Sequence, residues 1–252
     1  MKILVINGSP RKEKGNTEIL VNYFIKGAES AGANCETIYT KDLNINNCMG
    51  CFGCWKKTPG KCVIKDDMEE VLMKMRESDV IVYATPLYHF GMTADLKKVI
   101  ERTLPIAHPY IVNNGEKYSH PRRYTDFPEK FVIISNCGFP ERINFNAMME
   151  NFYAITGKRI VGEILCTAGE FLKTPLKDHI KWYLDAVVKA GVEVVKEGQI
   201  TKETNESLKK NFIDTETFLK YANSSWEVPG ENPPTVEEAK NGVFSMGRRS
   251  TS

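Results

Sequence analysis

Strand-like and helix-like patterns alternate five times along this chain, which predicts an α/β domain built on a doubly wound parallel sheet with helices on both faces. Three observations carry that expectation. The alternation runs through about residues 1–200. An inner run such as Val80-Ile81-Val82-Tyr83-Ala84 is apolar throughout, as a strand covered on both sides must be. The opening strand also runs through a glycine-containing loop straight into a helical pattern, the strand-loop-helix unit that right-handed crossovers repeat.

Residues 2–7 (Lys-Ile-Leu-Val-Ile-Asn) form the first strand, which ends in Gly8-Ser9-Pro10. From Asn16, Leu20, Tyr23, Phe24, Gly27, Ala28 and Ala31 recur at helical spacing. Residues 35–40 read as the second strand. Asp66 and Asp67 open a helix with the stripe Met68, Val71, Leu72 and Met75, two carboxylates in a first turn being suited to the helix dipole. The third strand, 79–84, precedes a helix over 93–104. The fourth, 130–135, precedes a helix over 144–156, and the fifth, 159–166, a helix over 176–196. One further helix over 202–221 leads into a Pro-, Gly- and Ser-rich tail, 224–252. The expected division is a domain over 1–200 and a C-terminal helix with extended tail over 201–252. Two insertions interrupt it: a cysteine-rich loop, 47–63, and a polar segment, 105–129, long enough to be a lid, a binding loop or a subunit contact.

The 252 residues carry 34 basic and 32 acidic side chains. A balance so near zero argues against nucleic acid or an anionic membrane surface as partner, and no apolar run approaches the roughly 18 residues that span a bilayer. With no signal-peptide core at the start, the expected setting is the cytoplasm, where closely spaced thiols point to metal or redox chemistry rather than disulfides.

In an open parallel α/β sheet, ligands bind beyond the carboxyl ends of the strands. The first such loop, Gly8-Ser9-Pro10-Arg11-Lys12-Glu13-Lys14-Gly15-Asn16-Thr17, combines small residues, hydroxyls, three cations and a helix N-terminus. Those are the parts of a phosphate cradle, against the plainer reading of a solvated turn in which Asn16 or Thr17 caps the helix. It lacks the closing Gly-Lys-Ser/Thr of a Walker loop and the Gly-x-Gly-x-x-Gly of dinucleotide folds. After the third strand, Thr85-Pro86-Leu87-Tyr88-His89-Phe90-Gly91 sets an aromatic and an imidazole where a planar ligand could pack. After the fourth, Ser135-Asn136-Cys137-Gly138-Phe139-Pro140 offers backbone amides to the edge of a heterocycle. No Ser/His/Asp or paired-carboxylate signature is present, so no catalytic side chain is assigned.

Together with Gly91-Met92-Thr93-Ala94-Asp95-Leu96-Lys97, these three loops resemble the NADPH-dependent FMN reductase and iron-sulfur flavoprotein group of flavodoxin-like proteins, over about residues 1–200. The resemblance implies a flavodoxin-like five-stranded sheet of order 2-1-3-4-5 that binds FMN. Ser9, Arg11, Asn16 and Thr17 would hold the phosphate. Pro86, Leu87, Tyr88 and His89 would line the isoalloxazine ring, and Asn136, Cys137 and Gly138 would meet its pyrimidine edge. It further implies an FMN-dependent oxidoreductase taking hydride from NADH or NADPH and passing electrons to an unidentified second acceptor, assembled as a homodimer or homotetramer. Arg122 and Arg123, in the 105–129 segment, are candidates for a nicotinamide phosphate, against a solvated loop or subunit contact.

Cys48, Cys51, Cys54 and Cys62 place four of the seven cysteines within 15 residues, where composition alone would put about 0.4. Soft thiolates at that density suit iron-sulfur or zinc. The spacing resembles the compact motif of iron-sulfur flavoproteins, which implies a 4Fe-4S cluster exchanging single electrons with FMN and a ferredoxin-like partner. Zinc, or reduced thiols in a packed loop without metal, stay open. A flavin-binding or metal-responsive module without turnover is the third class. Cys35 and Cys166 fall in strand patterns as buried apolar side chains, and His108, His120 and His179 carry no ligand expectation, His179 belonging to the last core helix.

Overall fold

The computed structural model describes residues 1–113, 115, 118–173, 179–224 and 237. In chain order its elements are β1 (Lys2–Asn7), α1 (Asn16–Ser30), β2 (Asn34–Tyr39), α2 (Gly53–Lys56), α3 (Met68–Arg76), β3 (Val80–Pro86), α4 (Ala94–Glu101), β4 (Val112–Asn113), β5 (Tyr118–Ser119), β6 (Lys130–Asn136), α5 (Asn146–Thr156), β7 (Ile160–Cys166), α6 (Lys181–Lys196), α7 (Lys202–Leu208) and α8 (Thr215–Ser224). The main sheet is parallel throughout, in the order β2-β1-β3-β6-β7. With β6 and β7 as fourth and fifth strands, this is the expected 2-1-3-4-5.

Side chains on a strand alternate between faces, and the two cores divide accordingly. Ile3, Val5, Val80, Val82, Val132 and Ile134 pack with residues of α1 and α6. Leu4, Ile6, Ile81, Tyr83, Phe131 and Ile133 pack with Met68 and Met75 of α3, Leu96 of α4 and Phe152 of α5. On the first face α1 and α6 touch backbone to backbone. A β-carbon at Gly27 would lie 1.9 Å from the Val188 carbonyl oxygen, and one at Gly191 would lie 2.1 Å from that of Phe24, so no larger residue permits this approach.

The chain forms two compact units, Met1–Phe212 and Ile213–Ser252. The helix expected over 202–221 is two helices, α7 and α8. Phe212 leaves the helical path to set its ring 5.5 Å from that of Tyr183. Asp214 then starts α8 afresh, its Oδ1 accepting the Thr217 N–H at 2.9 Å. His179 lies in the turn before α6 rather than in the helix. Cys166 is fully buried in β7, whereas Cys35 on the edge strand β2 is half-buried. Within the 105–129 segment a short antiparallel pair, β4-β5, appears that alternation of apolar residues did not signal. Almost all of the 224–252 tail, and residues 176–178 at the start of the helix expected over 176–196, lie outside the described residues. No helix among the described residues is long and apolar enough to cross a membrane.

Candidate functional site

The loops following β1, β3 and β6 are tied into one structure. Gly8 donates its N–H to the Ala84 carbonyl at 2.7 Å, and Thr93 Oγ1 donates to the Gly8 carbonyl at 2.7 Å. Leu87 N–H donates to the Asn136 carbonyl at 2.8 Å, while Thr17 Oγ1 donates to Asn136 Oδ1 at 2.6 Å. Parallel pairing brings the tips to one edge, and these bonds fix their spacing.

The first loop is shaped from beneath by groups the sequence did not single out. Ser9 is buried and its N–H donates to Asn7 Oδ1 at 2.8 Å. Asn7 Nδ2 donates in turn to Glu18 at 2.7 Å, and Tyr39 OH donates to the other Glu18 oxygen at 2.8 Å. Burial pushes the Glu18 carboxyl above its ordinary range, against the lowering effect of those two donors. Neither Asn16 nor Thr17 caps α1. Gly15 holds the cap position with no side-chain hydrogen bond, leaving the first-turn N–H groups without intrahelical acceptors. Thr17 reaches Asn136 instead, and the buried Asn16 Oδ1 has no partner. Arg11 is exposed at the rim, Lys12 is paired with Asp42 at 2.8 Å, and Lys173, from beyond β7, donates its ammonium to the Lys14 carbonyl. An uncapped helix start in a loop that carries Arg11, Lys12 and Lys14 fits an anion such as a phosphate, to which its first-turn N–H groups can donate.

The second tip turns sharply. Tyr88 and Gly91 exchange both backbone hydrogen bonds at 3.0 Å, with His89 at φ 48° and Phe90 at φ 64° between them. Two successive positive φ values mark a type I′ geometry that favours Asn-Gly. The turn therefore holds strain of roughly 1–2 kcal/mol per residue, and carries Tyr88 and His89 exposed at its crest. The double substitution His89→Asn, Phe90→Gly is expected to raise the unfolding free energy by about 1–2 kcal/mol in a denaturant titration. A fall instead would show that the native rings make compensating contacts.

On the third tip, Pro86 and Asn136 are paired at the ends of their strands. Cys137 faces inward: its N–H donates to the Cys166 carbonyl at 3.0 Å, its carbonyl accepts from Gly169 at 2.7 Å, and burial pushes its thiol to about 11. Gly138 is the open position, because a β-carbon there would meet nothing within 4 Å. The exposed Tyr88, His89, Gly138 and Phe139 make this edge a shelf rather than a closed cavity.

The cysteine loop lies elsewhere in the same unit. Cys48, Cys51, Cys54 and Cys62 line one small hollow with Met49, Phe52, Ile64 and Arg102. Cys54 is buried, and burial followed by its neighbours Cys62, Cys51 and Cys48 pushes its thiol upward. Among the described residues no three His, Cys, Asp or Glu side chains are arranged to hold a single metal ion. The donor set is nevertheless four thiols around one space, with Glu101 and Arg102 also on its wall and Arg102 Nη2 donating to Cys62 Sγ at 3.3 Å. That composition fits a sulfur-rich anionic group. The 105–129 segment packs against this loop. The His120 ring sits 4.9 Å from that of Trp55 and Tyr124 OH donates to the Gly60 carbonyl at 3.2 Å, while Trp55 Nε1 donates at 3.3 Å to the carbonyl of Leu104, just before the segment. Arg122 and Arg123 bind Glu129 and the Pro105 carbonyl respectively, at 2.7 and 3.2 Å, so both hold the segment's own fold. Cys62 also borders a neighbouring cavity of about 230 Å³ lined by Leu72, Met73, Arg76 and Tyr124.

The sheet order and the joined strand tips define a flavodoxin-like α/β protein. Residues 1–116 match the sequence model of the NADPH-dependent FMN reductase family. It is 42% identical over 106 residues to an iron-sulfur flavoprotein of Methanocaldococcus jannaschii, covering 42% of this chain and 53% of that one. With an iron-sulfur flavoprotein of Archaeoglobus fulgidus it shares 39% identity over 143 residues, 57% of this chain and 59% of the relative. The chain thus spans a little over half the length of these curated relatives. Among solved structures, an NAD(P)H:quinone oxidoreductase from Methanothermobacter marburgensis superimposes with a TM-score of 0.58 at 15% identity, over 77% of this chain and 96% of that one. An FMN-dependent NADH-azoreductase from Bacillus anthracis, in complex with FMN, gives 0.55 at 14% identity over 78% and 98%. At such identities the likeness is one of fold.

Proposed function

We propose that the protein is an FMN-dependent NAD(P)H oxidoreductase that passes electrons from a nicotinamide cofactor to a second acceptor. The observation that carries this reading is the joining of three strand tips around an uncapped helix start. In it Ser9, Arg11, Asn16 and Thr17 hold the FMN phosphate, with the first-turn N–H groups of α1 and the nearby Lys173 adding positive potential. Pro86, Leu87, Tyr88 and His89 support the ring. Asn136 and Gly138 meet its pyrimidine edge, and Cys137 packs beneath them. FMN, when bound, supplies the hydride chemistry, and the chain binds, orients and shields it; no side chain need act as nucleophile. The free thiols suit a reducing cytoplasm, and a homodimer or homotetramer is part of the reading.

Arg11→Ala is expected to weaken FMN binding by about 1.5–3 kcal/mol, roughly 10- to 150-fold, through loss of a charged hydrogen bond to phosphate. Flavin fluorescence quenching measures it, and an unchanged affinity removes Arg11 from the site. NADH- or NADPH-dependent bleaching of the bound flavin tests the activity; a loaded protein that neither nucleotide bleaches ends the reductase reading.

The shared hollow of four cysteines favours a second reading, in which Cys48, Cys51, Cys54 and Cys62 hold a 4Fe-4S cluster that trades single electrons with FMN and a ferredoxin-like protein. The names of the curated relatives support it. Cys54→Ala is expected to abolish iron binding in anaerobically prepared protein while FMN stays bound. A full iron complement in that variant would exclude the cysteines as ligands.

A further inference from the structure

Among the described residues Arg102 is the largest fully buried charged side chain, and it stands directly behind the cysteine loop. Its side chain is 1% exposed and that of its partner Asp66 0%. The pair is bidentate: Nη1 donates to Asp66 Oδ2 at 2.7 Å and Nη2 to Oδ1 at 2.9 Å. Nη1 also donates to the Asn46 carbonyl at 2.7 Å, just before Cys48, and Nη2 donates to Cys62 Sγ at 3.3 Å. The remaining donor, Nε, is buried without a partner. One guanidinium therefore spans both ends of the cysteine motif, anchored from α4 on one side and from Asp66 on the other.

A fixed carboxylate is a costly device for orienting an arginine toward a loop that needs only packing, since a buried ion pair seldom outdoes an apolar substitute. What the arrangement supplies is a guanidinium, charge-paired with Asp66, that aims one N–H donor, on Nη2, at the Cys62 sulfur. Such donors stabilise electron-rich sulfur and raise the potential of the group it ligates. We propose that Arg102, held by Asp66, is a positioning residue of the cysteine hollow that fixes Cys62 and raises the reduction potential of the sulfur-ligated cluster. The inference rests on the cluster reading above. Reduction would add one electron, from FMN or the ferredoxin-like donor, with no bond made or broken, and the donor on Nη2 would favour the added negative charge through Cys62.

The test uses the full chain, purified and reconstituted anaerobically, with iron, acid-labile sulfide and FMN assayed and the cluster titrated with dithionite under EPR. In the double variant Arg102→Gln, Asp66→Asn, FMN content is expected to match the parent. Its reduction equilibrium is expected to shift at least about tenfold toward the oxidised form, about 59 mV for a one-electron couple. Arg102→Lys keeps the charge and loses the fork, so it should shift about threefold; it decides the matter if the double variant fails to fold. Potentials within experimental error of the parent, including the case where iron content falls but the remaining cluster titrates normally, overturn the proposal and leave the cluster reading standing. A parent protein that takes up no iron and sulfide overturns both.

Discussion

Asp66→Asn is expected to lower the unfolding free energy by about 3–5 kcal/mol, because it strands the Arg102 guanidinium in the interior. For a domain of this size that is a fall in melting temperature of roughly 6–20 °C. The carboxyl has Arg102 on both oxygens, the N–H of Asn46 at 2.9 Å and that of Met68 at 3.2 Å. Burial alone would raise it, but Arg102 first, then these backbone donors, hold it at about 2. Its folded value lies below its unfolded one, so the stabilisation is complete above about pH 4 and is lost as the pH falls toward 2, on the order of 2 kcal/mol. Denaturant titrations at pH 7 and pH 3 should show the parent and Asp66→Asn converging in acid. A difference below about 1 kcal/mol at neutral pH would mean that the guanidinium finds water or another acceptor.

Gly8→Val is expected to part the tips of β1 and β3 and with them the flavin shelf. A β-carbon at Gly8 would lie 2.6 Å from Thr93 Oγ1 and 2.7 Å from the Leu96 β-carbon. Neither neighbour can swing aside, since Leu96 is buried within α4 and Thr93 Oγ1 is bonded to the Gly8 carbonyl. Overpacking of this kind costs about 1–3 kcal/mol of stability, and the geometric loss falls on the site. FMN affinity should drop at least tenfold, about 1.4 kcal/mol, by fluorescence titration. Retention of parental affinity would show that the phosphate loop and the ring-binding turn act independently.

Gly8 and Asp66 also mark how far the residue pattern reaches. The strand, loop and helix around Gly8 were legible because apolar alternation and turn residues are local signals. So were the three loops, whose glycines, hydroxyls and aromatics sit at strand ends. Arg102 offered no such signal: an arginine at the end of an amphipathic helix reads as solvated, and only folding places it between Asn46 and Cys62. Asp66 read as a first-turn carboxylate for the same reason, and Lys173 lies far along the chain from the loop it reaches. The split between α7 and α8 escaped notice because Phe212 leaves the helix for a partner, Tyr183, that is distant in sequence.

Local order along the chain was enough to place the five strands in the sequence, the apolar runs of the inner ones and the thiol spacing, because each depends on neighbours a few residues apart, whereas the strand order was an expectation from the resemblance. Which polar groups stay free at the strand tips, which cysteine is sealed and which cation stands behind the thiols depend on contacts between distant segments. Those contacts form only when two independent faces of the sheet are closed, and no periodicity in a single strand of text encodes them.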